Sequence, residues 1–381
     1  MHEPHHHNYL FNKELSEIYI SIAIRRFAFT MIGIFIPLYL YIEMGLALQT
    51  VILFYLVQNL VFFFVVFLSA KIGEKVGEKH LVLYSIPFLV LAFVFLIFMK
   101  QFDAPFWLPA IMMGLSCSFY WIGIHIEFAS ASDRKHRGRE VALWHVISIV
   151  VGIIGPILGA LILTFYNFTV LLVVVSVLFF ISALPLFFSK EIRVGYSLSW
   201  KKVIDKEHFR YAASYFSQSI RDTAVMIFWP ILVFIVLGGF LSLGIMASVT
   251  SIGVAIFTLY VGKFIDKDSK TKIIHMNALF EGIVLFFRGM VKTVTQIFAL
   301  DFLGGLFNTG VTIPLLTKTY NRAKKGDIVA FILFRETVLR LGRFFLLGFA
   351  FVMLYYFPEV TTAIRYVFTL SAFASLLHLI F

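Results

Sequence analysis

The chain alternates long apolar runs with short breaks rich in charged or turn-forming residues. A hydrocarbon core of ~30 Å is crossed by ~20 helical residues, so runs of this length read as membrane-spanning helices. Twelve are predicted, at 18–42, 47–70, 81–99, 105–130, 140–166, 168–189, 211–238, 242–264, 273–291, 294–317, 328–356 and 359–381. The first 17 residues are polar and include His2, His5, His6 and His7. The apolar run after them is too long for a signal-peptide core, so no cleavable leader is expected.

Composition agrees with this pattern. Of 381 residues, 60% are apolar and 14% charged, against ~25% charged in a soluble domain. A water-soluble chain of this length could not hide that much apolar surface, which excludes soluble enzymes and disordered proteins. The net charge of +11 would suggest nucleic acid in a soluble protein, but topology accounts for it. When successive breaks are assigned to alternate sides, 22 Lys and Arg fall on one side, only Lys100 and Lys292 on the other, and eight Arg lie inside spans. Basic loops mark the cytoplasmic face, so both termini are expected there. The single cysteine, Cys117, excludes an internal disulfide framework and a multi-cysteine metal cluster.

The chain also repeats itself. Ile24-Arg25-Arg26 followed by Ile34-Phe-Ile-Pro37 matches Ile220-Arg221-Asp222 followed by Ile227-Phe-Trp-Pro230. Ala70 to Lys75 matches Gly262 to Lys267, Gly114-Leu115 matches Gly305-Leu306, and Arg137-Gly138 matches Lys325-Gly326, at offsets of 188 to 196. The expected organisation is therefore an all-α membrane protein of two pseudo-symmetric six-helix halves, 1–189 and 211–381, joined by a cytoplasmic linker, 190–210, with room for a short amphipathic helix. Halves related by an axis along the membrane normal place a substrate site between them near the midplane.

These features resemble the major facilitator superfamily over essentially the whole chain. The loop signature of that family, G-x-x-x-D-R-x-G-x-R-R, is approximated by Ala70-Lys-Ile-Gly-Glu74-Lys75-Val-Gly77-Glu-Lys79-His80. The resemblance implies a latch between halves formed by Ala70, Glu74, Lys75 and Gly77, with a weaker second copy at Gly262, Asp266 and Lys267. Gly152-Ile-Ile-Gly155-Pro156-Ile-Leu-Gly159 is similar to the Gly-Pro element of the family's antiporters. Pro156 bends its helix and the glycines admit a close neighbour.

Charges inside spans are costly and therefore candidates for function. Arg25 and Arg26 lie one-third into the first span, with Arg221 and Asp222 at the equivalent place in the seventh. Neighbours on a helix point ~100° apart, so Arg221 and Asp222 are not expected to satisfy each other. Asp222 is instead assigned to Arg25 or Arg26 across the halves, as a gate, a coupling site or a static pair. In the eleventh span Glu336, Arg340 and Arg343 share a face, with Arg335 beside them, and one acid among three arginines leaves surplus positive charge. That surplus calls for an anionic substrate group or a carboxylate from a neighbouring helix. His125, His145 and Glu127 are candidates for a proton relay or an interfacial pairing. Arg288 and Asp301 read as a salt bridge at the outer turn, Asn308 as a cavity hydrogen-bonding residue, Arg365 as snorkelling and Cys117 as small-residue packing. Glu281 stays without a role. The N-terminal histidines read as a tail or a transition-metal ligand set.

No G-x-x-x-x-G-K-[ST], G-x-S-x-G or H-E-x-x-H occurs, so neither an ATP-driven pump, a hydrolase nor any other enzyme is expected, and no cofactor or bound metal. The expected function is secondary transport of a small organic solute by alternating access in the plasma (inner) membrane, by a monomer. Protons are the expected coupling ion, taken up at Asp222, Glu336 or Asp301, with drug or metabolite export ahead of import or facilitated movement of an organic anion. A non-transporting sensor or scaffold is the other class.

Overall fold

Most of the helices are apolar all round rather than along one stripe, the pattern of segments buried in protein on one side and in lipid on the other. The computed structural model describes residues 13–131, 137–188, 203, 206–261 and 270–381. The N-terminal histidines, the second latch copy at Gly262, Asp266 and Lys267, linker residues 190–202, 204 and 205, and the side chain of His145 lie outside the described residues.

The described residues form twelve helices. They are α1 (Lys13–Ile32, prolonged by Ile36–Leu38 and a π turn Tyr39–Glu43), α2 (Leu48–Val76), α3 (Glu78–Phe98), α4 (Trp107–Ala131), α5 (Arg137–Phe165) and α6 (Phe168–Phe188). Then come α7 (Phe209–Thr223, a π turn Ala224–Phe228, and Trp229–Leu237), α8 (Phe240–Val261), α9 (Lys270–Arg288), α10 (Val294–Ala323), α11 (Ile328–Tyr356) and α12 (Val360–Ser375, closed by Leu376–Ile380). Among the described residues nine helices are long and apolar enough to cross a membrane, and α5 and α8 carry shorter apolar stretches, Ile149–Phe165 and Phe240–Ile256.

α2 and α10 run past their predicted ends at 70 and 317 to Val76 and Ala323. Lys71, Glu74, Lys75, Lys318 and Arg322 are good helix formers, so the helix continues where the apolar run stops. Pro37 and Pro230 have no N–H to donate, and the helix around each is irregular: a turn at 33–35 precedes Pro37, and the π turn Ala224–Phe228 precedes Pro230. Gly77, at φ 95°, ends α2 and starts α3 within one residue, a backbone that side-chain-bearing residues adopt at a cost.

Packing follows the sequence repeat. α1 packs on α5 and α6, α2 on α4, and α3 on α4 and α6; six helices later, α7 packs on α11 and α12, α8 on α10, and α9 on α10 and α12. Contacts between the two sets obey the same exchange, with α2 on α11 matched by α5 on α8, and α4 on α11 matched by α10 on α5. The repeat-matched glycines keep equivalent places: Gly114 of α4 abuts the Gln58 carbonyl of α2, and Gly305 of α10 abuts the Thr250 carbonyl of α8. Large side chains such as Phe64, Leu184, Phe187, Ile283 and Phe287 face outward.

Candidate functional site

The centre of the site is one face of α11. A residue and its i+4 neighbour stack on a helix, and Arg340 Nη2 lies 3.4 Å from Glu336 Oε2. Arg335 stands ~100° round the helix, yet its long side chain swings back to place Nη1 2.5 Å from Glu336 Oε1. Glu336 thus answers two guanidinium groups. Arg343, one turn on, has no acid within ion-pair distance among the described residues, and its Nε and that of Arg340 are buried without a hydrogen-bond acceptor. The backbone carbonyl of Arg340 accepts from Asn59 Nδ2 of α2 at 3.1 Å, and its guanidinium lies 3.6 Å over the Phe62 ring.

α4 faces this cluster with His125, which is 3% exposed. Arg335 Nη1 donates to His125 Nε2 at 3.1 Å, and Glu336 Oε1 is 3.9 Å from the same nitrogen. Arginine has no acceptor, so Nε2 carries the lone pair and Nδ1 the proton. Nδ1–H then donates to the Tyr320 hydroxyl of α10 at 2.7 Å. Trp121, one turn back on α4, stacks on the imidazole with centroids 5.3 Å apart.

The four charged groups of α11, with His125 and Trp121, line a cavity of about 300 Å³ between α1, α4, α7, α10 and α11. Its charged lining is Arg26, Arg335, Arg340 and Arg343 against Asp222 and Glu336, with Gln218, Ser219, Thr312 and Thr319 adding neutral hydrogen-bonding groups. At 1.5 Å per residue the wall formed by α11 runs from about 10 Å to about 22 Å along a helix of about 43 Å, and so reaches the middle of the bundle. Toward the opposite ends of α1 and α7, Phe35, Phe168 and Phe234 pack around Phe240 at 5.0–6.3 Å between centroids.

A sequence profile of the Major Facilitator Superfamily matches residues 18–206. The chain belongs to this superfamily. Solved structures of its fold align over nearly all of it. The E. coli fucose:proton symporter aligns at 10% identity and TM-score 0.69, covering 96% of this chain and 97% of that one. A human organic anion transporter aligns at 12% identity and TM-score 0.67 over 95% and 99%. A bacterial homologue of the iron transporter ferroportin, in an outward-facing state, aligns at 13% identity and TM-score 0.71 over 95% and 96%. No curated protein matches the chain by sequence. The chain is a multi-pass integral membrane protein with the transporter fold of that superfamily.

Within the superfamily fold the other intramembrane charges separate by partner. Arg221 Nη1 bonds Asp222 Oδ1 at 2.7 Å, contrary to the expectation from helix geometry, because the flexible arginine stem spans the angle that the Cβ directions leave open. Arg221 Nε also lies 2.9 Å from Glu281 Oε1 of α9, which gives Glu281 the partner the sequence did not reveal. Asp222 is therefore held by its neighbour. Arg25 points elsewhere, 3.8 Å over Tyr120 and 5.3 Å from Phe179, while Arg26 shares the cavity with Asp222.

Arg288 and Asp301 pair at 2.7 Å as expected, each about 1% exposed, and Trp229 Nε1 adds a second donor to Asp301 Oδ1 at 2.9 Å. Asn308 is not on the cavity wall; it accepts from Thr312, which is, at 3.0 Å. Arg365 bonds the Gly289 carbonyl at 3.3 Å, and Cys117 sits between Ser116, bonded to Ser85, and Ser118, bonded to Ser69.

The Gly-Pro element packs as its composition suggests. A Cβ on Gly155 or Gly159 would fall on Thr30 or on the Met31 backbone of α1, and Gly244 of α8 lies against the Pro156 carbonyl. Thr30 Oγ1 donates to Val151 O at 3.1 Å and Ser248 Oγ to Ile153 O at 2.7 Å, joining α5 to α1 and α8. At the α2–α3 turn Ala70 is buried but Glu74 and Lys75 are exposed, whereas the next acid and base, Glu78 and Lys79, are buried.

Trp121, Tyr320, Gln218 and Ser219 were not singled out from sequence. Ser214, Gln218 and Asp222 follow helical spacing on the apolar α7, a polar stripe that marks a cavity face. Nothing local marks Tyr320, which meets His125 across 195 residues.

Proposed function

We propose that the chain is a secondary transporter that moves a small organic anion by alternating access through the cavity between α1, α4, α7, α10 and α11. The carrying observation is the charge of that cavity: four arginines against two acids among its described lining residues. Each acid already pairs with a guanidinium group, while the Nε atoms of Arg340 and Arg343 are buried without an acceptor. A buried donor left without an acceptor costs about 1–3 kcal/mol, and more on a charged group, so an anion that supplies the missing acceptors gains that energy on binding. Arginine suits carboxylate or phosphate, which it can meet with two parallel N–H groups.

The recurrence of helix contacts supports two rocking six-helix halves, 1–189 and 211–381, with the basic loops and both termini in the cytoplasm of a plasma-membrane monomer. The solved human relative in this fold transports organic anions, which fits the same reading. Gly155, Pro156 and Gly159 are the flexible packing seam between α5, α1 and α8, and Ala70, Glu74, Lys75 and Gly77 the cytoplasmic latch. Flux follows the gradients in such a cycle, so the export expected from the Gly-Pro element and the import expected from the Arg surplus are two directions of one machine.

The test is uptake of a panel of radiolabelled organic anions, cations and neutral solutes by proteoliposomes. Anions alone are expected to be carried, and Arg340→Gln or Arg343→Gln is expected to lower uptake by about tenfold or more, the effect of losing one charged hydrogen bond of about 1.5–3 kcal/mol. Full uptake by both variants, or selection of cations, would overturn the proposal.

A further inference from the structure

We propose that His125 is the proton-binding site of this cavity, and that its protonation releases Arg335 to bind the anion. The inference rests on the anion reading for its second half only.

Each acid on the described cavity wall has a guanidinium at bonding distance: Arg221 for Asp222, and Arg335 and Arg340 for Glu336. Protonating Glu336 would strip both Arg335 and Arg340 of their carboxylate, and a proton on Asp222 would have to displace the bond to Arg221. His125 is the neutral base among them, and its Nε2 lone pair is held by Arg335 Nη1 at 3.1 Å. A proton arriving from the cavity at Nε2 replaces that lone pair with an N–H, which the Arg335 N–H cannot face. The new donor has an acceptor at hand in Glu336 Oε1, 3.9 Å away. Glu336 therefore exchanges Arg335 for His125, and Arg335 turns toward the cavity that it already lines. The Nδ1–H bond to Tyr320 survives in both states.

The charges around the imidazole favour this exchange only when an anion follows. Arg26 from α1 and Arg335 from α11 oppose the imidazolium, and Glu336 from α11 favours it, with Asp222 of α7 on the far wall. α10 brings the neutral Tyr320, and α2 meets α4 through the neutral Gln58 and Ser69. α3 contributes Glu78, whose carbonyl packs at Gly123, and Lys79 beside it, and Glu127 lies two residues along α4. Binding of a proton adds one positive charge to the cavity, so proton and anion strengthen each other's binding by the same factor. The predicted cycle is proton–anion symport.

Trp121 reports the step directly, because it stacks on His125 and an imidazolium quenches indole fluorescence. The probe anion is sulfate, whose own charge does not change near neutral pH. In purified full-length protein, the fluorescence difference between wild type and Trp121→Phe is expected to fall on acidification through a single midpoint. His125→Gln should abolish that titration, and Tyr320→Phe should lower its midpoint, because Tyr320 accepts more strongly from a charged imidazole. Sulfate should raise the midpoint and bind about tenfold more tightly at about pH 5.5 than at about pH 8, within the usual range of coupling between sites. A Trp121 signal that does not titrate, or titrates unchanged in both variants, overturns the proton site. Sulfate binding that ignores pH overturns the coupling and leaves the anion cavity standing. Sulfate that binds at no pH sinks the anion reading instead, and the Trp121 titration still decides the proton site.

Discussion

Two buried arginines show how partner number decides what an intramembrane charge is worth. Arg288 has one carboxylate, Asp301, with both side chains almost wholly enclosed. Arg221 has two, Asp222 and Glu281. Removing one partner of a buried pair leaves an uncompensated charge and costs about 3–5 kcal/mol. Asp301→Asn is therefore expected to lower the melting temperature of the purified protein much more than Glu281→Gln, after which Arg221 still has Asp222. Equal shifts would show that the Asp222 bond does not hold Arg221. The same reasoning sets Arg343 apart, since no acid lies within ion-pair distance of it among the described residues.

At the scale of elements, the fold depends on close approach of helix backbones around α5. Gly159 lies against the Met31 carbonyl of α1, so Gly159→Val must push the two helices apart. Overpacking of this kind costs about 1–3 kcal/mol, and thermal unfolding should show it as a lower midpoint together with lost transport. Gly348 of α11 is the control, because a Cβ there meets nothing within 4 Å. Gly348→Ala is expected to stabilise by about 0.5–1 kcal/mol, the helix-propensity difference alone. A destabilised Gly348→Ala would mean that α11 relies on a bend at that glycine. The proline turns in α1 and α7 belong here too. Both sit where the sequence repeat aligns Pro37 with Pro230, and both interrupt a helix that continues beyond them.

For the whole molecule, the proposed rocking cycle makes a claim about the end away from the basic loops. Phe35 of α1 and Phe240 of α8 touch edge to face there, 6.3 Å between centroids, and belong to different six-helix sets. Alternating access requires that they separate. In a Cys117→Ser background, bridging Phe35→Cys and Phe240→Cys with a short thiol cross-linker should stop uptake, and cleaving the linker should restore it. Transport that persists with the bridge intact would exclude opening at this seam. His125 with Tyr320 and Arg335 forms the corresponding contact between the sets nearer the basic end.

Helix number and the recurrence of contacts six helices on were legible in the chain, because each follows from local periodicity or self-similarity. The stacked Glu336 and Arg340 were legible for the same reason, being four residues apart on one helix. The pairing of Arg221 with Asp222 runs against the expectation from Cβ directions, because a guanidinium sits at the end of a long flexible stem. Contacts between distant segments had no signal at all: Glu281 with Arg221, Tyr320 with His125, and Trp229 with Asp301. Lipid and low-dielectric packing make a lone charge costly wherever it lies, so sequence alone determined that each buried charge needs a partner. Which partner it takes depends on how the helices cross, and only the packed bundle leaves the half-buried Arg343 with no acid in reach among the described residues.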